Sequence, residues 1–296
     1  MLKIFPLSLL LVLAIAPTAQ ASDPLGPRAA LTVAVGDIAC DSPIITAGCN
    51  AGATALLAAS IKPSKIWALG DLVYNSGSLA EFQSGYAPTW GIPVLKSKTF
   101  PVPGNHEYNT ANAQGYKDYW GAQAQPNGVT WHSARFGDWL VLGLDSNCSV
   151  VGCDASSPQG LWLHNKLAHA PKCIMAIWHH PRRSSGLHGD NPAVQPLWYM
   201  LAAAHADLVL SGHDHHYERF ATLNSQAQPA AGVRQFVVGT GGKQLYGVPT
   251  VGAGSLVRVM NHSGVLKLDL RSNGYRWRFV GTNSFTIDRR EARCRA

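Results

Sequence analysis

The sequence predicts an α/β sandwich, two packed mixed β-sheets flanked by helices. Three observations point to it. Short runs rich in Val, Ile, Leu and Ala recur through the first two-thirds of the chain and alternate with helix-length segments. Past Arg219 the pattern changes to short strands separated by Gly and Asn turns. No linker, repeat or low-complexity tract divides the 296 residues, so one domain is expected over residues 22–296.

Residues 1–21 stand apart. Lys3 precedes an apolar run from Ile4 to Ala16, and Pro17-Thr18-Ala19-Gln20-Ala21 closes it with a small-x-small end. That is the layout of a secretory signal peptide, with cleavage expected after Ala21. The run is too short to span a bilayer comfortably, and no later stretch approaches ~18 unbroken apolar residues. An exported product, secreted or periplasmic and without membrane insertion, is the expectation.

Ala30 to Gly36 reads as a buried strand ending at Asp37, and Ala51 to Ser60 as a helix. Lys65 to Gly70 is a second strand ending at Asp71, followed by a helix over Ser78 to Trp90. Thr99 to Gly104 is a shorter strand leading into Asn105-His106-Glu107. Val129 to Phe136 and Trp139 to Leu144 read as an antiparallel pair running into Asp145-Ser146-Asn147. Ser157-Pro158 supplies an N-cap and first-turn proline for a helix over Pro158 to Ala170. Cys173 to Trp178 is a strand delivering His179-His180, and Pro192 to His205 a helix. The strand Ala206 to Ser211 then leads through Gly212 to His213-Asp214-His215-His216. Arg234 to Val238, Ser255 to Met260, Val265 to Leu270 and Gly274 to Val280 make the strand-rich second half, which is expected to be antiparallel.

Six cysteines suit an oxidising compartment. Six allow fifteen pairings, but Cys40 with Cys49 and Cys148 with Cys153 are local, which leaves Cys173 with Cys294. The formal charge is +7 although only 14% of residues are charged. The cations are dispersed, without a basic stripe interleaved with aromatics, so no nucleic-acid partner is expected. A positive field does suit a small anionic substrate.

Five strand ends carry Asp37, Asp71, Asn105-His106, His179 and His213/His215. In α/β sheets sites gather at the carboxyl ends of strands. Oxygen and imidazole donors without thiolates suit hard-to-borderline transition metals. The number of donors exceeds what one four-coordinate ion needs, so two metal ions are implied.

The blocks Gly36-Asp37-Ile38-Ala39, Gly70-Asp71-Leu72-Val73-Tyr74, Gly104-Asn105-His106-Glu107, Trp178-His179-His180-Pro181 and Gly212-His213-Asp214-His215 resemble, in order, the five blocks of calcineurin-like metallophosphoesterases. Within that superfamily they resemble the purple acid phosphatase branch. Most of the superfamily carries Asp-x-His in the first block, where this chain has Ala39. Tyr74 matches instead the tyrosine whose phenolate binds ferric iron in that branch. The resemblance implies a four-layer αββα fold, with Fe(III) at the Tyr74 site and Fe, Zn or Mn at the second.

By the same resemblance Asp37, Tyr74 and His215 would hold the first metal, Asp71 would bridge, and Asn105, His179 and His213 would hold the second. His179 is preferred over His180 because the family pattern is His-x-Pro. His106 would contact phosphate near the leaving group, and His188 would serve as general acid. His216 is expected behind the metal ligands or facing solvent. Arg182 and Arg183 could grip phosphate, and Gly239 to Gly242 could offer backbone N–H groups. The implied activity is hydrolysis of small phosphomonoesters by in-line attack of a metal-bound hydroxide. A phosphodiesterase acting on cyclic nucleotides or phospholipid head groups is the alternative on the same centre. A non-enzymatic metal- or phosphate-binding protein is disfavoured because every ligand position is filled.

Overall fold

The apolar runs pair into two sheets, each mixed. A computed structural model describes residue 2 and residues 23–40, 48–283 and 285–295; almost all of the expected signal peptide lies outside them. In the first sheet β1 (Arg28–Val35), β2 (Lys65–Leu69) and β3 (Thr99–Val102) run parallel. On the other side of β1 the antiparallel β11 (Gly264–Arg271), β12 (Gly274–Gly281) and β13 (Thr286–Arg293) complete the order β13-β12-β11-β1-β2-β3.

The second sheet has the order β10-β8-β9-β7-β6-β5-β4. Its strands are β4 (His132–Phe136), β5 (Trp139–Gly143), β6 (Cys173–Ile177), β7 (Leu208–Ser211), β8 (Tyr217–Leu223), β9 (Val233–Val238) and β10 (Ser255–Val259). Here β5, β6, β7 and β9 are parallel. The second half of the chain is therefore not wholly antiparallel, because β9 inserts beside β7 rather than pairing only with β8.

Alternation along the strands explains the layers. Ala34, Trp67, Leu69 and Phe100 face Trp139, Met175, Leu210 and Phe236 between the sheets. On the outer side of the first sheet Val33, Ile66 and Ala68 pack with residues of α1 (Ala51–Ile61), the π-helical turn Phe82–Tyr86 after α2 (Leu79–Glu81), and α4 (Gln114–Trp120). Leu142, Ile174 and Ala176 of the second sheet meet α6 (Pro158–Ala168) and α7 (Gln195–Ala203). Each such large apolar side chain taken from water contributes about 1.5–3 kcal/mol. The expected helix–sheet–sheet–helix sandwich is the observed architecture.

Helix α6 starts as expected, with the Ser157 hydroxyl accepting from Gly160 N–H at 3.0 Å. The expected helix over 192–205 opens as a 3-10 turn, Pro192–Val194, before α7, and that over 78–90 is only α2 and the π-helical turn. Short α3 (Pro93–Lys96) and α5 (Cys148–Val151) also form. Two strands were not anticipated. Strand β8 begins Tyr-Glu-Arg, and its Arg219 is buried only because Asp288 of β13 pairs with it. Strand β13 is a charged edge strand with little apolar alternation to read.

The cysteines pair as Cys40–Cys49, Cys148–Cys153 and Cys173–Cys294. Among the described residues no helix is long and apolar enough to cross a membrane.

Candidate metal centre

The carboxyl ends of β1, β2 and β3 meet those of β6 and β7. Asp37, Asp71 and His213 all adopt positive φ, 60°, 48° and 72°. This region costs non-glycine residues energy and recurs where local geometry serves a site. Glycines let the strand ends approach. A Cβ on Gly104 would lie 2.1 Å from Asp71 Oδ1, and one on Gly212 2.5 Å from Asp37 Oδ2.

The polar atoms fall into two touching sets. In one, Tyr74 Oη donates to Asp37 Oδ1 at 2.9 Å and lies 3.1 Å from His215 Nε2. In the other, His179 Nε2 lies 3.1 Å from Asn105 Oδ1, 3.1 Å from His213 Nδ1 and 3.3 Å from Asp71 Oδ2. The ring orientations are imposed from behind. His179 Nδ1–H donates to the Leu69 carbonyl at 2.9 Å and His215 Nδ1–H to the Gln244 carbonyl at 2.8 Å. In its neutral form each ring would present an unprotonated Nε2 inward, as a metal ligand does.

The donor chemistry fits cations. Too few protons serve the converging lone pairs: one phenolic hydrogen lies between Asp37 and His215, and His179 Nε2 faces two side-chain oxygens. Ligand atoms of Asp37, Asp71 and His179 all lie within 4.8 Å of one another, as do those of His179, His180 and His213. Without a cation the charge balance shifts onto protons. Burial disfavours a charged His179, yet Asp71 and Asp37 outweigh it and hold its pKa up at about 9. Burial also opposes ionisation of Asp71, but His179 and His106 hold it below the usual carboxylate range. Asp37 is driven up mainly by burial, and Tyr74 by burial and then the Asp37 and Asp71 carboxylates. Burial lowers His215 to about 4.

The structure brings both proposed catalytic histidines to this place. Asp71, Tyr74, Asn75, Asn105, His106, His188, His213, His215 and Lys243 line a cleft of about 150 Å³. His106 donates through Nδ1–H to the Asn75 carbonyl at 2.6 Å and packs on Tyr74 at 4.3 Å between ring centroids. The His188 ring lies 4.2 Å from that of His213. Its loop is held by Asp214, which accepts from His188 N–H at 3.0 Å and from the Ser184 hydroxyl.

Other polar residues near the cleft find partners of their own. His180 Nδ1 is bound to the Ser146 hydroxyl at 2.8 Å while its ring lies beside His213. Of the two places expected for His216 it takes the inner one: it is fully buried and donates to Glu218 at 3.1 Å. Arg182 bonds to Gln195 and Arg183 to Asp190, and neither lines the cleft. The N–H groups of Gly239 and Gly241 are spent on the carbonyls of His216 and Gly36, so that turn packs the site from behind.

Four further neighbours complete the site. Glu107, fully buried, accepts from Asp71, Leu72 and Gly104 N–H at 2.9, 2.8 and 2.6 Å, tying the β2 and β3 ends together. Burial and the nearby Asp71 carboxylate raise its pKa to about 7. Asp214 sits between the two histidines of its block. Tyr246 stacks on His215 at 4.7 Å, and Lys243 Nζ lies 4.5 Å from the Tyr74 ring centroid. No spacing in the sequence links Lys243 or Tyr246 to the blocks.

The fold and the converging strand ends together make a candidate metal centre. A family model for calcineurin-like phosphoesterases matches residues 30–217, well over half of the chain. The chain belongs to that family. Among solved structures it is similar to a purple acid phosphatase from yellow lupin (Lupinus luteus) seeds, with TM-score 0.70 and 16% identity over 89% of this chain and 53% of that one. The chain thus spans about half the length of the lupin enzyme. It is also similar to GAP50, the anchor in the inner membrane complex of Plasmodium, with TM-score 0.65 and 17% identity over 90% and 89% of the two chains. PhoD follows with TM-score 0.58 and 11% identity over 89% and 68%. At these identities the likeness is one of fold. No curated protein sequence matches the chain significantly.

Proposed function

We propose that residues 22–296 form a single catalytic domain of an exported, purple acid phosphatase-like phosphomonoesterase. The observation that carries this reading is the division of the donors into two touching sets. Asp37, Tyr74 and His215 would hold the first metal, Asn105, His179 and His213 the second, and Asp71 would bridge. A phenol beside a carboxylate and an imidazole suits Fe(III); the second ion would be Fe, Zn or Mn. Bound, the pair supplies Lewis-acid charge to phosphoryl oxygens and lowers the pKa of a water.

The chain's own residues do the rest. His106, its Nδ1 hydrogen committed to Asn75, turns Nε2 toward the Asp71 side of the cleft, where it orients the phosphate and its leaving oxygen. His188, beside His213, supplies a proton to that oxygen. The Lys243 ammonium adds positive charge at the rim for the dianion of a monoester. The small cleft favours a compact substrate. Three disulfides support an oxidising, extracytoplasmic compartment.

The test is metal analysis with visible absorption spectroscopy of the purified protein, alongside hydrolysis of p-nitrophenyl phosphate and its bis-ester. Iron, a phenolate-to-iron absorption band lost in Tyr74→Phe, and preference for the monoester are expected. A colourless, iron-free, active enzyme would overturn the iron assignment, and retained hydrolysis in Asp71→Ala the whole metal assignment.

A further inference from the structure

A groove larger than the cleft at the strand ends lies elsewhere on the described residues. It has a volume of about 450 Å³ and lies on the outer face of β11–β13, beside the amino end of β1. Its lining carries six cationic side chains against two carboxylates, an excess equal to more than half of the chain's formal +7.

The register shows how the charge is organised. Asp269, Arg276 and Glu291 are direct neighbours across β11, β12 and β13. That row alternates in sign, and Arg276 pairs with Glu291 at 2.8 Å while Asp269 pairs with Arg28 at 2.7 Å. One step along each strand on the same face stands a second row, Lys267, Arg278 and Arg289. All three are cations, and none makes an ion pair among the described residues. Like charges directly opposite destabilise a sheet. Adjacent strands lie about 4.8 Å apart, so the three form a line crossing the strands. Charge on the edge strand β13 guards against sheet extension, but that does not account for Lys267 and Arg278 on interior strands.

We propose that this row is a binding site for a linear polyphosphate-type polyanion, lying across the strands. A repeated anion matches a row of cations at strand spacing. The recessed shape disfavours a membrane surface, since the apolar lining residues, Leu31 and Trp277, do not protrude: Trp277 is only 3% exposed. A single-stranded nucleic acid would want exposed rings for its bases to stack on, and the groove offers none. The inference is independent of the reading of the metal centre, because Arg28 and Asp37 lie at opposite ends of β1.

The experiment titrates inorganic polyphosphate into the full-length protein, with orthophosphate present to occupy the catalytic cleft. Wild type is compared with the triple variant Lys267→Gln, Arg278→Gln, Arg289→Gln and with the charge-matched control Lys62→Gln, Lys117→Gln, Lys172→Gln. The row variant should bind at least about tenfold more weakly, and the slope of log K against log salt should fall by about two. The control should bind like wild type. Relief of like-charge repulsion should leave the Tm of the ligand-free row variant equal or higher, and unchanged hydrolysis of p-nitrophenyl phosphate verifies its fold. Equal loss in the control would overturn the proposal in favour of net charge alone. Row-dependent binding to phosphatidylglycerol vesicles with none to polyphosphate would overturn it in favour of a membrane surface.

Discussion

Asp214 offers the most direct test of how the cleft is held. Its carboxylate is fully buried and accepts from His188 N–H at 3.0 Å, from Tyr246 O–H at 3.1 Å and from the Ser184 hydroxyl. Asp214→Ala removes all three acceptors at once. A buried donor left without a partner costs about 1–3 kcal/mol. The Tyr246 hydroxyl also lies 3.1 Å from the His213 carbonyl and keeps an acceptor. Two orphaned donors then remain, a cost of about 2–6 kcal/mol. Asp214→Asn should cost less than about 1.5 kcal/mol, because its amide oxygen still accepts from His188 and its amide N–H can donate to a rotated Ser184 hydroxyl. Urea denaturation reads the stability. In activity Asp214→Ala should approach His188→Ala, for which general acid catalysis sets a scale of about 10²–10⁴ in kcat. The double variant should be little worse than either single one. The reasoning is refuted if Asp214→Ala unfolds within 0.5 kcal/mol of wild type (roughly the scatter of neutral surface changes), or if its effect on kcat multiplies fully with that of His188→Ala.

Three further outcomes are expected. Gly104→Ala, whose Cβ would lie 2.1 Å from Asp71 Oδ1, should lower stability by about 1–3 kcal/mol and cut metal content as measured by plasma mass spectrometry. Burial raises the pKa of Asp207 from 3.8 to about 7. The folded state therefore holds this proton more tightly than the unfolded one, and the contribution of Asp207 to stability is fully present below pH ~4 and is lost, on the order of 4 kcal/mol, as pH rises through about 7; Asp207→Asn should flatten that component of a denaturation series. Removing Cys173–Cys294, which closes a loop of 121 residues, should cost about 4–5 kcal/mol, seen as a lower urea midpoint for the double Ser variant.

Much of the site could be read from the sequence because its ligands sit at the ends of strands, where a local pattern is complete in a few residues. An apolar run, a glycine and then Asp, Asn or His shows both where the chain leaves the sheet and which donor it carries out. The i, i+2 spacing of His213 and His215 belongs to the same local class, and the structure sends each to a different set. The α6 cap was legible for the same reason.

What the tertiary structure decided depends on residues far apart in the chain. The division of the donors into two sets requires β1, β2 and β3 to be neighbours in one sheet and β6 and β7 in the other, facing ends that no local pattern specifies. Arg182 and Arg183 turn away because Gln195 and Asp190 are within reach. His216 goes inward because Glu218, two residues on along an unanticipated strand, is buried with it. Lys243 reaches Tyr74 only because the turn after β9 folds back over Asp37, whose carbonyl accepts the Lys243 N–H at 3.0 Å. The sequence by itself thus determined the strands and the donors at their ends, since backbone propensity and burial period are local. Which donors touch, which cations face the cleft and which line the β11–β13 groove were decided by packing, because those contacts join residues that only the folded sheets bring together.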